Sequence, residues 1–134
     1  MIPRTKPAHQ RVNIHVSCKG MRVAIDMYVW LHEFALRHAR AVVLANDPSG
    51  VLDDVLRRAA YLVRCGITPV FVFDGAPAAA KGGTVEARAK RRAASYARFE
   101  ALDIEDVAAT ESALRGAISI KWEMVTAVID ALRL

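Results

Sequence analysis

Val23-Ala24-Ile25-Asp26 and Val70-Phe71-Val72-Phe73-Asp74-Gly75 decide how this chain folds. Each is an apolar, β-branched run that stops on an aspartate. Runs of this kind read as strands buried on both faces, as in a parallel sheet. The first strand spans about Arg22 to Asp26, and Pro69 opens the second. Between them the spacing predicts a helix from about Tyr28 to Ala45, with Leu31, Phe34, Ala35 and Val42 on one face. Asn46-Asp47-Pro48-Ser49-Gly50 is a loop, and a second helix follows from Val51 to Cys65. Gly66 stands where a left-handed C-terminal cap belongs. Strand, helix, helix, strand is a crossover, so the two strands are expected to be parallel neighbours. Asp26 and Asp74 then share one carboxyl edge, where ligands gather in open α/β sheets. Two bare carboxylates side by side repel each other, so the pair implies a cation between them.

Working outward, residues 1–20 show no clean periodicity, although Val12, Ile14 and Val16 alternate and predict a short edge strand. Met1 to Arg11 is basic and contains proline but lacks the apolar stretch of a secretory signal. Lys19-Gly20 reads as a turn into the first strand. Beyond Asp74 the texture changes. Gly75-Ala76-Pro77 is a turn, and Ala78 to Gly83 is rich in small residues. Thr84 can cap a helix running to about Leu102, with basic residues and alanines and few large apolar anchors. A shorter helix is expected from Asp106 to Arg115. Ile118 and Ile120 precede a last helix whose stripe of Met124, Val125, Val128, Ile129 and Leu132 requires a packing partner.

The 134 residues suffice for one domain with its own core, and 54% hydrophobic with 25% charged content is that of a soluble globular protein. No apolar run approaches the roughly 18 residues of a membrane span, so no membrane partner is expected. Cys18 and Cys65 form no CxxC pair, which argues against a zinc knot or redox dithiol, and a reducing compartment is the default. Cys65 reads as a small buried hydrophobe. The net charge of +5 points toward an acidic partner. Lys81, Arg88, Lys90, Arg91, Arg92 and Arg98 against the single acid Glu86 account for that whole excess.

Asp26 and Asp74 suit Mg²⁺, a hard cation that takes carboxylate oxygens and keeps several waters. Two such ions about 3.5–4 Å apart can activate a water and stabilise a leaving oxygen in phosphodiester cleavage. Either acid alone also reads as a cap on the following turn or helix. Phe73-Asp74-Gly75 suggests a haloacid-dehalogenase phosphotransferase as well, but Val72 stands where that pattern needs a second acid. Arg88, Arg91 and Arg92 share one helix face beyond Lys81 and can hold phosphates in two-pronged hydrogen bonds. The bland alternative is a solvated basic face. Tyr28 and His32, four apart, can stack on an exposed base, and Tyr28 reads equally as core. His32 has no second histidine at ligand spacing. Trp30 and Trp122 read as core.

Met21-Arg22-Val23-Ala24-Ile25-Asp26-Met27-Tyr28-Val29-Trp30-Leu31-His32 resembles the first metal-binding strand and helix of the flap endonuclease/XPG superfamily, nearest in pattern to its exonuclease 1 branch. Gly66-Ile67-Thr68-Pro69-Val70-Phe71-Val72-Phe73-Asp74-Gly75 is similar to its second strand, and Lys81 to Ala101 to its Lys/Arg-rich helical arch. Ile118-Ser119-Ile120 and Met124 to Arg133 resemble the helix after the arch. The resemblance implies an α/β fold with a parallel-sheet core of the PIN-like 5′-nuclease type and a helical arch at about 78–116. It makes residues 1–20 a divergent segment and 21–134 the N-terminal half of a nuclease domain. It implies Asp26 and Asp74 as two of the carboxylates around a Mg²⁺ pair, and Lys81 and Arg88 as catalytic residues at the scissile phosphate. Tyr28, His32, Arg91 and Arg92 would join Lys81 and Arg88 in binding DNA.

The implied substrates are 5′ flaps and nicked or recessed duplex DNA, cut in the nucleus during repair or replication alongside other proteins of those processes. Three departures stand out. The chain begins Met1-Ile2-Pro3-Arg4 where the family begins Met-Gly-Ile; Gly82-Gly83 replaces charged residues at the arch base; and Leu134 precedes the family's remaining acids. The expectation is therefore a fragment with weak or no intrinsic cleavage. A non-catalytic DNA-binding remnant or truncated paralogue using the basic arch is the alternative. A PIN-like RNase is a third reading, opposed by the Tyr28/His32 and arch motifs.

Overall fold

The computed structural model describes residues 13–75 and 82–133. Strands β1 (Arg22–Asp26) and β2 (Thr68–Val72) pair in parallel, Arg22 opposite Thr68 and Asp26 opposite Val72. The crossover between them consists of α2 (Met27–Arg37), α3 (Ala39–Leu44) and α4 (Ser49–Arg64). One helical turn, α1 (Ile14–Ser17), precedes β1; α5 (Gly82–Ala101), α6 (Val107–Gly116) and α7 (Trp122–Arg133) follow β2. The protein is thus mixed α/β, a small parallel sheet with helices, consistent with part of a PIN-like nuclease fold. No helix among the described residues is long and apolar enough to cross a membrane.

Local chemistry sets the entry to β2. Gly66 adopts φ +76°, the left-handed cap expected of it. Its N–H donates to the Val63 carbonyl and that of Ile67 to the Leu62 carbonyl, which satisfies two of the carbonyls orphaned at the end of α4. The Gly20 N–H donates to the Gly66 carbonyl (2.8 Å), and the Thr68 N–H to that of Met21 (2.9 Å), so both strands start from one tie. One core cluster unites Ile25 and Ile67 from the sheet region with Leu31, Phe34, Val51, Val55, Leu114, Val125 and Val128. Full burial of a side chain such as Phe34 or Leu31 contributes about 1.5–3 kcal/mol. The stripe on α7 packs against α4, the partner its sequence requires.

Several expectations are corrected. The strands are not buried on both faces. Val23, Ile25, Pro69 and Phe71 turn inward, while Ala24, Val70 and Val72 are exposed, because no described element covers that side. Ile14 and Val16 lie in α1 rather than an edge strand, since the Val16 and Ser17 amides fold back to the Asn13 carbonyl; Val12 lies outside the described residues. The long helix expected over residues 28–45 breaks at His38 (φ −108°, ψ 29°), whose ring is drawn to Asp54 of α4. Trp122 is 58% exposed at the start of α7 rather than core, and Cys65 is only half-buried against the core. Trp30 packs edge-on against Phe34 and Phe71.

Candidate nucleic-acid and metal site

Asp26 ends β1 and caps α2 at once. Its backbone is extended (φ −72°, ψ 105°), and Oδ1 accepts the Tyr28 N–H at 3.0 Å. Capping is thus real for this acid, and it fixes the carboxylate at the strand's carboxyl end. Asp74 lies two residues beyond Val72, the partner of Asp26, and both acids are exposed. The two reach the same sheet edge because the strands are parallel and in register. They offer hard oxygen donors with open access for water, which suits Mg²⁺ rather than a thiophilic metal. Among the described residues no group of three or more His, Cys, Asp or Glu side chains gathers to hold a metal ion.

Tyr28 stands half-buried in the first turn of α2, packed against the core, and His32 is exposed one turn later. Lys81 lies outside the described residues. Arg88 and Arg91 are exposed on α5, as are all residues from Gly83 to Arg91. Arg92 is half-buried. With Tyr96, Ser119 and Lys121 it lines a cleft of about 340 Å³ floored by Val42 and Val43 of α3. Lys121 Nζ donates to Asn46 Oδ1 (3.1 Å), which joins the segment before α7 to the loop after α3.

Sequence reasoning missed a charged network on α2 and α4. Asp54 is 7% exposed and accepts hydrogen bonds from Arg37 Nη1 (2.9 Å) and Arg57 Nη1 (3.3 Å). The His38 ring Nε2 lies 2.9 Å from Asp54 Oδ2. Burial pushes the Asp54 carboxyl up, but hydrogen bonds from His38 and Arg37, and then their charges, hold it below the ordinary aspartate range. Beside it Arg58 grips Glu33 with two parallel bonds (2.7 and 2.8 Å) and lies over the Phe34 and Trp30 rings. The Arg58 hydrogen bond pulls the Glu33 carboxyl down. The signal was present in the sequence: an acid inside the apolar stripe Val51-Leu52-Asp53-Asp54-Val55.

Residues 5–95 match the XPG N-terminal domain family. Flap endonuclease 1 of Methanocella arvoryzae is 34% identical over 108 residues, covering 77% of this chain and 32% of that protein. Flap endonuclease 1 of Caenorhabditis elegans is 33% identical over 125 residues, covering 90% of this chain and 33% of that protein. That of Cryptosporidium parvum is 37% identical over 90 residues, covering 63% and 18%. The chain thus spans a third or less of the length of these curated relatives. With the parallel strands, the acids at their carboxyl edge and the basic helix beyond, the match over residues 5–95 settles kinship: this chain belongs to the XPG N-terminal domain family of the flap endonuclease/XPG nucleases.

Proposed function

We propose that the chain supplies the sheet-edge acids and the basic arch of a Mg²⁺-dependent, structure-specific 5′ nuclease acting on DNA in repair or replication, in the nucleus. The observation that carries this reading is that Asp26 ends β1 and Asp74 follows the end of the parallel β2 by two residues, at the same carboxyl edge, with a helix of basic residues next in the chain. Asp26 and Asp74 would hold the metal, which when bound supplies Lewis-acid stabilisation of charge on a phosphodiester. The remaining roles fall to the protein. Arg88 and Arg91, exposed on α5, hold backbone phosphates by charge and paired N–H donors. Lys81 and Arg88 are assigned to the scissile phosphate. His32, exposed one turn above the Asp26 cap, and the edge of Tyr28 meet the bases at the junction of single and double strand. On this reading 5′ flaps and nicked or recessed duplexes are substrates, and other repair and replication proteins are partners.

A second reading, a non-catalytic DNA-binding unit using the arch alone, is favoured by one observation. No third acidic, His or Cys side chain joins the pair among the described residues. Residues 21–134 as the N-terminal half of the nuclease domain accommodate either reading. A fluorescein-labelled 5′-flap DNA, followed by anisotropy and by denaturing gel during a Mg²⁺ titration, separates them. The nuclease reading expects Mg²⁺ to change binding or cleavage, and Asp26→Ala or Asp74→Ala to abolish that response. It also expects Arg88→Ala/Arg91→Ala to flatten the salt dependence by about 0.9 for each phosphate no longer neutralised. Salt-sensitive binding indifferent to both Mg²⁺ and Asp26→Ala would assign the chain to the non-catalytic class.

A further inference from the structure

Helix α4 buries one face and leaves the other in solvent. Val51, Asp54, Val55, Ala59 and Leu62 are buried toward the core. Asp53, Leu56, Ala60 and Val63 are all exposed, and they stand at i, i+3, i+7 and i+10, the spacing of a heptad seam. Leu56 is 41% exposed and Val63 60%, and Ala60 between them has no side chain long enough to hold a neighbouring helix away. The charges follow the same line. Asp53 stands at the N-terminal end of the seam, and Arg64, one residue past Val63, at its C-terminal end; both are exposed. Neither has an ion-pair partner among the described residues. Arg57, which flanks the seam, is instead engaged sideways by Asp54 (3.3 Å).

We propose that this exposed face of α4 is a docking surface for a second copy of the chain, paired antiparallel about a two-fold axis beside Ala60. A two-fold interface is self-complementary, so every contact occurs twice. With the axis midway between residues 59 and 60, Leu56 of each copy lies level with Val63 of the other. The same placement sets Asp53 of each copy about 3 Å along the axis from Arg64 of the other, within reach of its guanidinium. A parallel pair would set Asp53 against Asp53 and Arg64 against Arg64, and the like charges exclude it. The second copy thus carries the complement of both ends of the seam, and the apolar residues between them leave water together. The face is 16 residues of helix, about 24 Å long and one helix wide, which is at the low end of interface sizes. The pair is therefore transient, half-formed at a chain concentration on the order of 100 μM.

Sedimentation velocity of the full chain, at concentrations on either side of that value, tests the proposal. A monomer–dimer equilibrium is expected. Ala60→Glu, which places a charge at the axis, is expected to weaken it about tenfold or more. Asp53→Arg and Arg64→Asp, each alone, are expected to weaken it about tenfold, since either change sets like charges together. An equimolar mixture of those two variants is expected to recover a heterodimer, because each reversed charge then meets its opposite. A chain that stays monomeric throughout overturns the inference, as does a mixture that fails to pair while the wild type dimerises. A dimer indifferent to Ala60→Glu but lost in Val70→Lys, which charges the exposed face of the sheet, also overturns it. Thermal melting checks that each variant folds, as expected for substitutions at exposed positions. No arm contains DNA or Mg²⁺, and no seam residue belongs to the sheet edge or to α5, so failure here leaves the nuclease reading standing.

Discussion

Asp54 shows how a single residue joins packing and charge. Its carboxylate sits below the surface and is neutralised by groups that remain partly in water, so solvent screens what the ion pairs contribute. Hydrogen bonds to charged groups are worth about 1.5–3 kcal/mol each when well formed. With that discount Asp54→Ala is expected to destabilise the protein by about 1–3 kcal/mol, measured by urea unfolding. Because the folded carboxyl titrates below its unfolded value, its stabilisation is present above the ordinary aspartate range near pH 4. It is lost as pH falls through the lower folded value. Wild-type stability should therefore drop below about pH 4, and Asp54→Ala should drop less over the same window. Asp26 and Asp74 were legible in the sequence because each ends an apolar run. The partners of Asp54 were not: the acid stood out in an apolar stripe, but Arg37 of α2 and His38 at its end reach it only in the tertiary fold. Trp122 misled for the converse reason: a large apolar side chain says nothing of whether its helix end reaches the core.

Among the elements, the crossover was legible and its interior was not. Periodicity gave α4 and α7, with Gly66 closing the first as expected, but the continuous apolar face over residues 28–45 concealed the break at His38. Helix α5 follows the opposite logic. Its C-terminal half is held by α6, where Gly116 meets the Ser95 side chain so closely that a methyl group would collide. Phe99 packs on the core cluster beside Tyr96. Its first ten residues have no such support. Gly83 to Arg91 are all exposed, with Arg88, Lys90 and Arg91 repelling one another. Helices of this length without packing are marginal in water. Amides of residues 83–91 are therefore expected to exchange with deuterium about tenfold or more faster than those of residues 95–101, read by mass spectrometry. Added duplex DNA should slow the first group selectively by screening the cations. Equal rates in the two halves would show that the helix is held along its whole length.

At the scale of the molecule, fold class was legible from two apolar runs and the helices between them, whereas the one-sided burial of the sheet was not. Alternation is weak in Val70-Phe71-Val72, and the sequence alone does not reveal which face of a strand is covered. The pairing of β1 with β2 also has a kinetic consequence. Arg22 meets Thr68 and Asp26 meets Val72, partners 46 positions apart in the chain. Closing a flexible loop of that length costs on the order of 3 kcal/mol, while two parallel strands alone return little. The α2–α4 contact closes a shorter segment, Glu33 to Arg58, and buries Phe34 and Val55. It should therefore form first and hold the strands' ends within reach. Stopped-flow refolding is expected to show Val55→Ala slowing the folding arm, with Val70→Ala acting mainly on unfolding; the opposite assignment would place strand pairing ahead of the helices. In this order the carboxylates at the sheet edge come together only in the final steps of folding. A chain caught partway would already carry its arginines on the surface while Asp26 and Asp74 still lay apart.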